Sequence, residues 1–290
     1  MHLKKVSKKI ILITGGNGVL GSYFYNKYKN KYKIICFPYR LEQFNKLEEW
    51  VKNKNFDYFV HFAAITSKIH RNYKKINLIN KEIPIKIIKL LQRNSIKNLK
   101  YFLFISSSHV YGYYKKKISE NYKRKPFNKY GITKKKTEDF ILKNNKLFNF
   151  NIGIARVFNF TSDKQSLGHF IPDIYQKIKN NKNLINLDYN RDFIHIDDIA
   201  KSLELMIRKR FNNALNICSG KKINLIHLSK KLNKFSFNKN IIFKNLNKKL
   251  KKDIYGNNIL LKKLGIKKFK NLNFILKTFL NGKKKNINFR

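Results

Sequence analysis

The stretch "KIILITGGNGVLG", Lys9–Gly21, decides the fold. Its first half, Lys9–Thr14, is short, apolar and rich in β-branched residues, which predicts a buried strand ending at Gly15 and Gly16. Its continuation, "VLGSYFYNKYKN", carries apolar residues at helical spacing. Between strand and helix stand Gly15, Gly18 and Gly21. Gly15 allows a tight turn and Gly18 lets the backbone approach a pyrophosphate. Gly21 lets the helix pack closely on the sheet, with its N-terminus aimed at the anion. A glycine triplet alone is a weak signal, but this one follows a strand at the start of a strand–helix–strand unit, where the mechanism needs it. Gly15, Asn17, Gly18, Val19, Leu20 and Gly21 are therefore expected to cradle the phosphates of a dinucleotide.

Outward from the glycines the alternation continues. "YKIICF" (Tyr32–Phe37) predicts a second strand and "EQFNKLEEWVKNK" a helix. "DYFVHFAA" (Asp57–Ala64) predicts a third strand, and "KEIPIKIIKLLQRN" a helix with Pro84 in its first turn. "YFLFI" (Tyr101–Ile105) runs into "SSSHVYG" and predicts a fourth strand, followed by a helix at "YGITKKKTEDFILKN" and a strand at "FNIGIARVF". Such alternation argues for an α/β fold, a doubly wound parallel sheet with helices on both faces. Beyond Phe160 the elements shorten: a helix at "HFIPDIYQKIKNN", a strand and helix at "RDFIHIDDIAKSLELMI", a strand at "ALNICSG", then a lysine-rich tail whose Lys283–Lys285 reads as a solvated terminus. The expected division is a cofactor domain over 1–160 and a smaller substrate domain over 161–290. Segments about 193–200 and 214–219 return to the large domain.

The formal charge is +49, from 65 Lys and Arg against 16 Asp and Glu. The excess is spread over most loops and helix faces alongside abundant Asn, Ile, Phe and Tyr, all residues with A- and T-rich codons. Genomic base composition explains it more simply than a nucleic-acid surface, because no basic stripe has a groove-reading motif beside it. Steering of an anionic substrate follows either way. Cys36 and Cys218 fall in apolar runs, read as buried core thiols, and match no metal or redox spacing. No segment approaches the length of a membrane span. The amino terminus breaks at glycines after four apolar residues, too few for a signal peptide, so cytoplasmic residence is expected.

Two sites carry chemistry. The second strand is followed by Tyr39 and Arg40, with no acid directly after the strand and Glu42 two further on. An acid there would bond the ribose 2′-hydroxyl, whereas Arg40 accommodates a 2′-phosphate and tips the balance slightly toward NADP(H) over NAD(H). "YGITK" places Tyr130 and Lys134 four apart, hence on one helix face. A phenol titrates near pH 10 and is a poor base at neutrality, but a neighbouring ammonium stabilises the phenolate.

Glycine turn, hydroxyl-tipped strand and tyrosine–lysine pair in this order resemble the extended short-chain dehydrogenase/reductase family. Its members are NAD(P)-dependent nucleotide-sugar epimerases, dehydratases and ketoreductases with a Rossmann-type sheet. The resemblance spans nearly the whole chain, through "HFAA" (His61–Ala64), Asn77 in "KINLIN", "SSSHVYG", "ARVFN" (Ala155–Asn159), "RDFIHIDDIA" (Arg191–Ala200) and "ALNICSG". It implies Ser107, four residues before the tyrosine of "VYG", as the hydroxyl that bonds the sugar oxygen exchanging a proton with Tyr130. It implies that Lys134 binds the nicotinamide ribose and lowers the Tyr130 pKa. Phe62, Ala63, Ala64, Asn77 and Phe158 would line the cofactor; Ser107, Ser108, Asn159 and Arg191 would contact the substrate, the last two at its diphosphate. Ser106 and Tyr111 read as structural, and Asp197 and Asp198 as helix-start residues without metal partners.

Sugar 4,6-dehydratases of the family place Asp and Glu directly after the catalytic hydroxyl residue, whereas this chain has Ser108 and His109. A dehydratase is disfavoured, and His109 reads more simply as a strand-end residue than as a proton-transfer group. Only one helix fits between the second and third strands, so the sheet is expected to lack or shorten one strand. The segment after Asn159 looks like reductases acting on 4-keto-6-deoxy sugars, which makes a nucleotide-sugar reductase of surface-polysaccharide synthesis the expected activity. A 4-epimerase with tightly held NAD is the alternative, and a non-catalytic nucleotide- or RNA-binding relative a more distant one. The resemblance also implies a homodimer, while the segment lengths and the spread of charge lead to the expectation of no membrane or nucleic-acid partner, and the residue spacings to that of no metal.

Overall fold

A computed structural model describes residues 7–66, 72–93, 96, 98–244 and 252–285. In chain order the first half holds β1 (Ile10–Thr14), α1 (Val19–Tyr28), β2 (Lys33–Cys36), α2 (Phe44–Lys52) and β3 (Tyr58–His61), then α3 (Tyr73–Asn77), α4 (Ile83–Arg93), β4 (Tyr101–Ser107), α5 (Lys129–Asn144) and β5 (Asn151–Val157). The second half holds β6 (Asn159–Thr161), α6 (Phe170–Lys179), β7 (Leu184–Ile185), β8 (Asn190–Arg191), β9 (Phe193–His195), α7 (Ile196–Lys209) and β10 (Ala214–Ile217). Then come β11 (Ile223–Asn224), α8 (Leu225–Ser236), β12 (Phe243–Lys244), α9 (Ile259–Leu264) and α10 (Leu272–Lys285).

Six strands form one parallel sheet of order β10-β5-β4-β3-β1-β2, a Rossmann-like arrangement with flanking helices. The chain leaves β1 for the edge strand β2 and returns to the other side of β1 as β3. That reversal of direction at β1 is where open α/β sheets leave a crevice at the strand ends. The strands form because both faces are covered: Ile11, Leu12 and Ile13 of β1 and Tyr101–Phe104 of β4 are fully buried. β2 is an edge strand, and α2 is the only helix between β2 and β3, as the spacing implied.

By its contacts the chain divides into two compact units. The first comprises 1–106, 128–155 and 203–214, and its core gathers Leu12, Phe59, Phe102 and Ile154 of the sheet with Leu47 and Val51 of α2 and Ile87 and Leu91 of α4. The second comprises 107–127, 156–202 and 215–290, with Ile171, Ile174, Phe193, Leu228, Leu276 and Phe279 in its main core.

Several expectations need correction. β3 stops at His61, so Phe62–Ala64 form the turn after it. Cys36 is only partly buried, unlike Cys218, because β2 is an edge strand. Lys283–Lys285 are the last three residues of α10. Pro84 is the second residue of α4, in its first turn as expected, but the helical path begins earlier: α3 is capped by Asn72, whose side chain accepts from Lys75 N at 3.2 Å, and a π-helical turn, Leu78–Glu82, runs on into α4. The widened turn has a local cause. Proline has no N–H to offer the carbonyl four residues back, which is Asn80's, and Thr137 Oγ1 of α5 donates to it instead at 2.9 Å. The fully buried Asn80 side chain also accepts from Ile65 N at 3.0 Å and donates to Ile65 O at 2.8 Å. Among the described residues no helix is long and apolar enough to cross a membrane.

Candidate active site

The glycine turn follows β1 in the first unit. Gly15 has φ of 71°, and a Cβ there would lie 2.5 Å from Ala63 N and 2.9 Å from Phe62 C, so only glycine lets the turns after β1 and β3 meet. A Cβ on Gly21 would strike the Gly15 carbonyl, so the close approach of α1 is to the turn itself. Gly18 caps α1 without any side-chain acceptor, no acidic residue stands in the first turn of α1, and Gly18 is exposed. Those bare helix-start amides, beside a turn that side chains would fill, fit a dinucleotide pyrophosphate. Asn17 is exposed and Val19 and Leu20 are half-buried. Phe62 is buried with its ring 5.4 Å from that of Phe24 on α1, so its side chain is packing material, while Ala63 is half-buried and Ala64 exposed.

Beyond β2, Tyr39 and Arg40 are exposed, with Lys46 Nζ 4.5 Å from the Tyr39 ring. Asn77, where α3 meets the π-turn, donates to Glu82 Oε1 at 2.5 Å. It lines an open groove of about 550 Å³ with Glu42, Lys74, Lys75, Leu78 and Glu82. Lys75 and Glu42 pair across it at 3.0 Å.

Helix α5 begins at Lys129, capped by Asn128, which accepts from Gly131 N at 2.8 Å. Tyr130, in its first turn, is half-buried. One turn on, Lys134 is fully buried: Nζ donates to Ile105 O of β4 at 2.8 Å and sits 4.5 Å from the Phe104 ring centre. Burial pushes its pKa down to about 7, opposed by the negative charge of Glu138 one further turn along. Glu138 is also fully buried and accepts from Ser106 Oγ at 2.5 Å. His61, stacked on Phe104 at 6.1 Å, shares Nδ1 with Thr14 Oγ1 at 2.8 Å, while its Nε2 has no partner among the described residues. Burial first and the Lys134 charge second hold His61 well below the usual histidine range, hence neutral. The tyrosine–lysine spacing was legible in the sequence; Glu138 was not singled out, although its place four residues after Lys134 is the signal that could have found it.

In the second unit, Ser107 ends β4 and its Oγ accepts from His109 N at 3.3 Å, capping a short 3-10 turn, Ser108–Val110. Ser107 and Ser108 are buried. His109 is half-buried, its ring 5.7 Å from that of Phe127. Tyr111 is structural: it donates to Asn216 Oδ1 at 2.7 Å and accepts from Arg156 Nη1 at 2.7 Å. Arg156 also donates to Glu120 O at 2.8 Å, so the buried guanidinium inside "ARVFN" ties the serine turn to β5. Phe158 is buried among Val110, Tyr111, Ile118, Cys218 and Ile254. Asn159 Nδ2 donates to Asp192 O at 3.3 Å. After it, the buried Thr161 Oγ1, Ser162 Oγ and Gln165 Oε1 lack partners among the described residues.

The Arg191 guanidinium lies 4.5 Å from the Tyr189 ring and 5.8 Å from that of Tyr113, and donates to the carbonyls of Asn190 (2.9 Å) and Lys252. Among the described residues no carboxylate pairs with it. Its neighbour Asp192 is fully buried and accepts from Ser219 N (2.9 Å), Ser219 Oγ (2.7 Å) and Gly220 N (2.8 Å). Burial nevertheless pushes the Asp192 pKa up to about 6. Asp197 and Asp198 stand in the first turn of α7 and pair with Lys270, at 2.5 and 3.6 Å.

A model of the NAD dependent epimerase/dehydratase family matches residues 11–218. GDP-6-deoxy-D-talose 4-dehydrogenase of Aggregatibacter actinomycetemcomitans is 26% identical over 247 residues, 81% of this chain and 83% of that protein. RMD of Pseudomonas aeruginosa, solved with NADPH, is 19% identical and has a TM-score of 0.83 over 96% of this chain and 99% of that one. UDP-glucuronic acid 4-epimerase of Bacillus cereus, solved with UDP-glucuronic acid and NAD, is 19% identical with a TM-score of 0.81, over 95% and 99%. At such identity the two structures speak for the fold, and the family match for descent. With the glycine turn, the buried Lys134 and the sheet order all in place, the chain belongs to the NAD-dependent epimerase/dehydratase family of extended short-chain dehydrogenases/reductases.

Proposed function

We propose that the chain reduces a nucleotide-linked 4-keto-6-deoxy sugar to its 4-hydroxy form, using NADP(H), in the supply of surface-polysaccharide precursors. In this reading residues 1–160 hold the cofactor and 161–290 serve the substrate. The observation that carries the chemistry is the α5 pair: a half-buried Tyr130 one turn before a Lys134 sealed against β4. When bound, the nicotinamide supplies the hydride donor or acceptor. Tyr130 gives its phenolic proton to the carbonyl oxygen as that oxygen becomes a hydroxyl. Ser107 Oγ donates a hydrogen bond to the same oxygen, and a charged Lys134 favours the phenolate that remains. Because its pKa lies at about 7 and not near 10.5, Lys134 holds or releases its proton close to neutrality. Arg191, an aromatic-walled guanidinium without a carboxylate partner among the described residues, suits a diphosphate.

Reduction in place of dehydration is supported by Ser108 and His109 where the dehydratases place a carboxyl pair. The likeness to GDP-6-deoxy-D-talose 4-dehydrogenase supports a redox role at sugar C4, and the exposed Arg40 supports NADP(H). The test is to identify any dinucleotide released on denaturing the purified protein, then to follow NADPH absorbance with a panel of nucleotide 4-keto-6-deoxyhexoses. Oxidation of NADPH that is lost in Tyr130→Phe is the expected result. Retained NAD with redox-silent interconversion of UDP-hexoses would replace the reading by a 4-epimerase.

A further inference from the structure

The sequence holds two asparagine–glycine pairs, Asn17 with Gly18 and Asn281 with Gly282, and the fold treats them in opposite ways. In such a pair the glycine nitrogen can attack the preceding side-chain amide, since glycine has no Cβ to obstruct the approach. Asn281 is exposed, but it lies inside α10, and Gly282 is buried so closely that a Cβ there would strike Asp163. Helical backbone keeps the Gly282 nitrogen in the hydrogen-bond ladder and away from the Asn281 side chain.

Asn17 stands outside any helix or strand, in the turn between β1 and α1, and both it and Gly18 are exposed. Its side chain makes no hydrogen bond among the described residues. One backbone bond restrains the attacking nitrogen: Gly18 N donates to Gly15 O at 3.0 Å. Gly15, Gly16, Gly18 and Gly21 crowd this segment, so its backbone regains much freedom whenever the turn opens. No acidic residue stands in the first turn of α1. The positive end of that helix therefore favours loss of the Gly18 amide proton, the step that makes the nitrogen a nucleophile.

We propose that Asn17 is a site of spontaneous deamidation that shuts the dinucleotide cradle, and that a bound dinucleotide protects it. The inference rests on the reading of this turn as a phosphate cradle. In the opened turn Gly18 N gives its proton to water and bonds to Asn17 Cγ. The side-chain nitrogen leaves as ammonia, closing a five-membered succinimide. Water then opens the ring at either carbonyl, giving aspartate or, with the chain rerouted through the side chain, isoaspartate. Both products put a carboxylate beside the amides meant for a pyrophosphate, and isoaspartate also lengthens the turn by one backbone atom. Reaction needs the open turn and binding the closed one, so dinucleotide slows the modification by the factor 1 + [L]/Kd.

The test is to incubate the purified full chain, warm and at neutral pH, alone and with NAD or NADP. Peptide mass mapping and calorimetric titration of both dinucleotides follow. The peptide containing residue 17 should gain about 1 Da, while the peptide containing Asn281 stays unchanged over the same interval. The tighter dinucleotide, at about ten times its Kd, should slow that gain about tenfold. Fully converted protein should bind it about tenfold more weakly. Asn17→Asp should bind weakly from the start, with circular dichroism checking that it is folded. Asn17→Ala, which cannot form the ring, should hold its own starting affinity through the incubation. Equal gains at Asn17 and Asn281 would overturn the inference, as would a gain that dinucleotide does not slow or undiminished affinity in Asn17→Asp. Fresh protein that binds neither dinucleotide would overturn the cradle and the inference together. A failure to reduce keto sugars would remove the proposed function alone, because none of these measurements uses a sugar.

Discussion

Replacing Lys134 by methionine should change how stability depends on pH. Lys134 is fully buried, and burial lowers its pKa from 10.5 to about 7. The unfolded chain holds the lysine proton up to about pH 10.4, whereas the folded chain gives it up near 7. Between those values the unfolded state binds more protons, so folding stability rises with pH; below 7 the cost of the buried charge is carried in full. A displacement from 10.5 to about 7 corresponds to about 5 kcal/mol at low pH. Between pH 7 and pH 9 about 2 kcal/mol of that cost is relieved. Methionine fills a similar volume and has no proton to bind. It also forfeits the hydrogen bond to Ile105 O, about 1 kcal/mol, but that loss is the same at both pH values. The measurement is urea unfolding of both proteins, stripped of dinucleotide, at pH 7, 8 and 9. The wild type should gain about 2 kcal/mol on Lys134→Met across that range. Parallel profiles would refute the argument, because they would mean that Lys134 keeps its proton in the fold throughout.

Two further outcomes follow from buried polar groups and a third from a glycine. Asp192→Asn should destabilise the second unit, since an amide NH₂ would face donors such as Gly220 N and Ser219 Oγ. Because the folded pKa of Asp192 is raised to about 6 from 3.8, its stabilising effect is complete below 3.8 and lost as pH rises through 6. The wild type should therefore gain about 1 kcal/mol on the variant from pH 7 to pH 5 in urea titrations. Asn80→Ala strips both partners from the Ile65 backbone and should cost about 2–4 kcal/mol in denaturant unfolding. Gly112→Ala forces a Cβ against the Lys125 carbonyl at positive φ; hydrogen exchange should show the Lys125 amide, which donates to Tyr111 O at 2.9 Å, losing protection, with β1 unaffected.

The sheet was legible because its strands are short apolar runs between turn residues, and the glycine spacing fixed where the first turn lies. Tyr130 and Lys134 were legible by their four-residue spacing taken together with the glycine turn and the hydroxyl-tipped strand before them. Less legible were features set by partners distant in sequence. Thr137 on α5 satisfies a carbonyl freed by Pro84, and no local pattern joins those residues. The Tyr113–Phe127 stack closes a loop of fifteen residues, and that loop depends on a backbone angle at Gly112 that composition does not reveal. Lys134 could be counted from the sequence as one turn from Tyr130, but its complete burial depends on β4 lying against α5.

The π-turn at Leu78–Glu82 makes chain length, rather than chemistry, the sensitive variable in this part of the molecule. Removing one residue from it would restore regular helix but turn everything on one side by about 100°. Asn80 would then leave both Ile65 and Thr137, and Thr137 shares α5 with Tyr130 and Lys134. A single-codon deletion at Leu78–Glu82 is thus expected to disturb the reactive helix more than most substitutions in the same stretch. For anyone recombining this chain with its relatives, the segment is best exchanged together with α5, as one inherited block.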